Sequence, residues 1–90
     1  GTKIYGNLGK RGIKVFPTMN DDFDEDAKVA VDIVADANGN VLEARINPKG
    51  TSATQPKTKQ AALRKAREIK FNPGTETQTG TIILDMRVRG

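Results

Sequence analysis

The sequence predicts an α+β fold: a two-layer sandwich with one helix packed on one face of an antiparallel three- to four-stranded sheet. Three observations predict it. Val29, Val31, Ile33 and Ala35 alternate with Ala30, Asp32 and Val34, the period-2 pattern of a strand with one buried face. Asp36-Ala37-Asn38-Gly39-Asn40 then breaks the run, and Asn-Gly takes positive φ at little cost, a strong hairpin signal. Residues 61–70, AALRKAREIK, place apolar side chains at spacings of three and four, the signature of an amphipathic helix.

Taken in order, the first twelve residues carry Gly1, Gly6, Gly9 and Gly12 and read as flexible. We therefore set residues 1–11 apart as a lead-in and residues 12–90 as the domain. Gly12 to Phe16, GIKVF, has the makings of a short strand, ended by Pro17, which cannot donate to a ladder. Residues 18–26, TMNDDFDED, hold five acids in six positions and read as a solvated turn anchored by Phe23. A calcium loop fails there, because no glycine and no closing glutamate fall at the required positions. It fails again at 36–43, where Gly39 and Glu43 both come too early.

Val41 to Asn47 is the returning strand, with Leu42, Ala44 and Ile46 on one face. Pro48-Lys49-Gly50 closes it. Pro56 suits the first position of a helix, where its missing N–H costs nothing. The helix is predicted to run from Lys57 to Lys70, with Ala62, Leu63, Ala66 and Ile69 turned inward. Pro73-Gly74 stops it. The last strand is Thr81–Arg89, in which Ile82, Leu84, Met86 and Val88 alternate with Ile83, Asp85, Arg87 and Arg89.

Composition limits the chemistry. A chain of 90 residues is expected to form one domain, able to bury roughly two-thirds of its unfolded surface. Cys, His and Trp are absent, which removes the usual zinc, haem and iron–sulfur ligands, the commonest general base and a thiol nucleophile. Ser52 is the only serine and sits in a loop stretch, TSATQP. The expectation is a protein that is not an enzyme and needs no cofactor or metal. No apolar run approaches the ~20 residues of a membrane span, and the first residues of this sequence do not read as a signal peptide.

The net charge is +4, and Lys57, Lys59, Arg64, Lys65, Arg67 and Lys70 crowd the helix. A nucleic-acid module is one reading of that face. Against it stand an aromatic content of 4%, too low for a stacking platform, and the acids at 21–26, which oppose phosphate. The plainer reading is a wet helix face built from good helix formers.

The order of these pieces resembles the C-terminal domain of TonB-family energy transducers. The residues that carry the resemblance are VAVDIVADANGNVLEARI (29–46), the AALRKAREIKFNPG helix and its ending (61–74), and GTIILDMRVR (80–89). They span about two-thirds of the chain. Two features depart from the family pattern. Ile69 stands where many members have tryptophan, and TMNDDFDED replaces the short helix that usually follows the Tyr-Pro-like dipeptide, here Phe16-Pro17.

The resemblance implies a periplasmic domain of an inner-membrane-anchored protein. Its partners would be an outer-membrane receptor, bound through an extended box segment, and an inner-membrane motor reached through an anchor outside this sequence. The box would add as a strand along Ile82, Ile83, Leu84, Asp85, Met86, Arg87 and Val88, with Ile83, Asp85 and Arg87 tuning partner choice. Strand addition draws its affinity from main-chain hydrogen bonds and needs no special side chains. About six such bonds, at about 0.5–1.5 kcal/mol each and less the cost of ordering a peptide, give affinity on the order of micromolar. Two further expectations follow. Gly12–Phe16 is placed to cap that edge, and the same open edge admits a strand-swapped homodimer. An accessory cell-envelope domain of the same fold is the alternative reading.

Overall fold

The computed structural model describes residues 1–6, 8–18 and 23–88. It has six strands and one helix: β1 Thr2–Tyr5, β2 Ile13–Val15, β3 Ala27–Ala35, β4 Val41–Asn47, α1 Pro56–Glu68, β5 Lys70–Phe71 and β6 Gln78–Met86. Four strands form an antiparallel sheet in the order β1-β6-β3-β4, and β2 pairs with β5 in a second sheet of two strands. This is the expected α+β class, with α1 over β3 and β4.

The period-2 pattern divides the large sheet into a dry and an open face. Val29, Val31 and Ile33 of β3 and Ile82, Leu84 and Met86 of β6 are buried on the helix side. Lys28 and Asp32 of β3 and Thr79 and Thr81 of β6 are exposed on the other. Small Ala61, Ala62 and Ala66 form the buried stripe of α1 and let it lie close on the sheet. Leu8, Phe23 and Phe71, from outside the four-stranded sheet, complete the core.

The hairpin forms at residues 36–40. Asp36 O accepts from Gly39 N at 3.0 Å, Asp36 Oδ1 accepts from Asn40 N at 2.9 Å, and Gly39 has φ of 93°. The register then shifts between Val34 and Ala35, a bulge that sends Val41 inward and Leu42 out. Leu42 is therefore 58% exposed, not on the inner face with Ala44 and Ile46 as its spacing predicted.

Several boundaries move for tertiary reasons. Residues 2–5 are not a lead-in: they form β1, paired with β6 from Thr2↔Met86 to Tyr5↔Ile83. The helix ends at Glu68, because Ile69 turns extended and Lys70–Phe71 pair with Ile13–Val15. The last strand begins at Gln78 and ends at Met86, so Arg87 and Val88 lie past it, and Arg89 is outside the described residues.

Candidate functional site

The residues expected to bind a partner strand sit inside the sheet. β6 has β3 on one side and β1 on the other, so Ile83–Met86 has no open edge. The ladder continues past the strand ends, since Gly1 N donates to Arg87 O at 2.7 Å and Arg87 N donates to Gly1 O at 2.8 Å. The edge is thus capped, but by Thr2–Tyr5 and not by Gly12–Phe16. Ile13 and Val15 pair instead with Phe71 and Lys70. Gly6 lets the chain leave β6 closely, because a Cβ there would stand 3.0 Å from Thr81 O.

The seven predicted residues do not share one environment. Ile82, Leu84 and Met86 belong to the core and are not available to a partner's side chains. Ile83 and Asp85 face the open side. Ile83 lies between Tyr5 and Ala30, and Asp85 between Lys3 and Lys28. Arg87 Nε is 3.0 Å from Asp85 Oδ1, and that hydrogen bond raises the Arg87 pKa above its ordinary value. Val88 is 43% exposed and donates its N–H to Asp26 Oδ1 at 2.7 Å.

The basic helix face is smaller than the sequence suggested. Lys65 is 3% exposed, and its Nζ donates to Thr18 O at 2.9 Å. Beside it, Glu68 Oε1 accepts from Thr18 N and Oγ1 at 2.9 and 3.0 Å. Thr18 is thereby held against the end of α1. Lys57 Nζ is 3.3 Å from Asp24 Oδ2.

The acidic run also differs from a free solvated turn. Glu25 Oε1 accepts from Thr54 N at 2.9 Å and Gln55 N at 3.0 Å, just ahead of Pro56. A carboxylate is well placed there, because the start of a helix carries unsatisfied N–H groups. The Gln55 N–H, with Thr54, holds the Glu25 carboxyl below its ordinary pKa. The Asn40 N–H does the same for Asp36, and the Thr18 N–H for Glu68. Asp21 and Asp22 lie outside the described residues.

One cluster escaped the sequence reading. Arg11 is 7% exposed, and its guanidinium donates to Asp36 O at 2.7 Å, Asn72 O at 2.8 Å, Gln78 Oε1 at 3.2 Å and Glu76 O at 3.3 Å. One side chain so ties the hairpin, the Asn72-Pro73-Gly74 turn and the start of β6. A single arginine between glycines has no periodicity to betray it. Among the described residues, no group of three or more Asp or Glu side chains is placed to hold a metal.

No protein-family model, curated protein or solved structure matches this chain.

Proposed function

We propose that this domain is the receptor-binding module of a TonB-like energy transducer, working in the periplasm as part of an inner-membrane-anchored protein. It captures the extended box segment of an outer-membrane receptor by antiparallel strand addition to β6. One observation carries the reading beyond the sequence resemblance: the outer side of β6 already holds a short extended segment, the chain's own Thr2–Tyr5, in regular register. The incoming segment replaces β1 there and takes up the same main-chain bonds. β1 suits exchange, being four residues long with Tyr5 half-exposed, whereas β3 matches β6 over nine register pairs. On the open face, Ile83 and Asp85 meet the newcomer's side chains.

The test is an amide-shift titration of isotope-labelled protein with receptor box peptides, run on the full chain and on a variant lacking residues 1–6. Shifts at Ile83–Arg87 in both, with tighter binding to the shortened variant, support the reading. Failure of every peptide to bind the shortened variant, with its fold intact, overturns it.

A further inference from the structure

The far side of the sheet carries a second strand edge, and its sequence complements itself. β4 ends the sheet, with β3 on its inner side. Lys70 bridges Asn40 at one end of its outer edge, and Pro48 closes the other. The open stretch is therefore Val41–Asn47, and its midpoint is Ala44.

Hydrogen bonds fix which backbone groups face out. Lys28 N and Ala30 N point to the β4 side, onto Ser52 Oγ and Thr51 Oγ1 at 2.9 Å each. Alternation turns Asp32 and Val34 the same way, toward their register partners Arg45 and Glu43. Glu43 and Arg45 thus bond inward, and Ala44 and Ile46 present N–H and C=O to the outside. Their side chains divide the other way. Ala44 and Ile46 pack on the core, while Glu43 and Arg45 stand on the open face, 3.6 Å apart and with side chains 58% and 80% exposed. Leu42, displaced by the bulge, is 58% exposed.

We propose that Val41–Asn47 pairs with the same strand of a second copy, antiparallel about a two-fold axis at Ala44, joining two sheets edge to edge. In that register Ala44 meets Ala44 of the second copy. Glu43 meets Arg45, and Arg45 meets Glu43. The charge pair within each chain becomes an alternating group of four, and cross-strand pairs of opposite charge stabilise a ladder. Other registers lose this match. An axis at Glu43 sets two carboxylates opposite each other, an axis at Arg45 sets two guanidinium groups opposite each other, and a one-residue slip turns the dry face toward water.

Charged residues on an edge strand usually discourage pairing. Here their order permits one partner, the chain itself. The joined strands are short, so the contact falls at or below the low end of stable interfaces, about 1,200 Å². The dimer is weak and depends on concentration. It does not rest on the receptor reading, because β1 and β6 lie on the other side of the sheet.

Analytical ultracentrifugation of the full chain and its charge variants tests the proposal. The natural chain is expected to self-associate reversibly. Glu43→Arg and Arg45→Glu should each weaken this at least tenfold, while a 1:1 mixture of the two restores it as a heterodimer. The double variant, with net charge unchanged, should behave like the natural chain. Protection of the Ala44 and Ile46 amides from hydrogen exchange should rise with protein concentration. A chain that stays monomeric at millimolar concentration overturns the proposal. So do single variants that associate as well as the natural chain, which would point to exchange of β1, or dimers in which those two amides exchange freely.

Discussion

Arg11 occupies the space that a side chain at position 74 would need. A Cβ built on Gly74 would stand 2.7 Å from Arg11 Cδ and 2.8 Å from Arg11 Nε. The Pro73-Gly74 ending, which reads in sequence as a helix stop, is in the folded chain the floor beneath a buried guanidinium.

Gly74→Ala should therefore destabilise the domain by about 1–3 kcal/mol through overpacking. Arg11→Ala should cost about 2–4 kcal/mol, since it leaves main-chain carbonyls of three segments without their donor. The two changes touch one another and should not add: with Arg11 gone, Gly74→Ala loses most of its effect. Urea unfolding of the two single variants and the double variant gives the cycle. Full additivity would mean that the close approach carries no energy.

Gly39 meets two demands at once. Its φ is 93°, and a Cβ there would collide with Phe71 O, whose residue donates its N–H to Gly39 O at 2.8 Å. Gly39→Ala should cost at least about 3 kcal/mol, above the ~1 kcal/mol that positive φ alone commands. Gly50→Ala is the control, with similar φ but only an ordinary approach of 3.4 Å to Ala30 Cβ. Thermal melts of the two should differ clearly, and equal losses would remove the collision from the account.

Acid should loosen the two seams that carboxylates close. Glu25 and Glu68 have native pKa values below their ordinary 4.5, and Asp36 lies below its ordinary 3.8. A depressed carboxylate contributes stability that is complete above its unfolded pKa and is lost as pH falls through the native one. Melting temperature should thus hold level from neutral pH to about 5 and fall below that. Glu68→Gln and Glu25→Gln should each flatten the fall. A melting temperature unchanged at pH 3 would deny these contacts any role.

Lys65 tests what a buried cation does on this helix. Lys65→Met keeps an unbranched apolar stem but loses the donor to Thr18 O, and should cost about 1 kcal/mol. Lys65→Ala also empties the space of a side chain that is 3% exposed and should cost about 1–2 kcal/mol more. Chemical denaturation separates them, and equal costs would mean that the stem packs against nothing.

The legible parts of the fold were those with local causes. β3, the Asn38-Gly39 turn and the body of α1 each carry their own periodicity or turn chemistry. β1 does not. Four residues, TKIY, are too few for a pattern, and their strand state comes from β6, at the far end of the described chain. Lys70 fits the helical spacing, yet pairing with β2 draws it, with Phe71, into a strand. The candidate edge suffered most from this non-locality. The alternation of Ile82–Met86 was visible, but whether that strand lies at an edge or inside the sheet is a property of the whole topology.

The reciprocal bonds between Gly1 and Arg87 have a mechanical consequence. They put the two ends of the described chain side by side at one corner of the sheet. Tension that separates those ends loads the β1–β6 ladder crosswise, so the bonds open one after another from the corner instead of sharing the force. The long β3–β6 ladder is not the first to carry that load. β1 is thus the fuse of the domain: a modest pull peels it away and bares β6 while the core beneath remains closed.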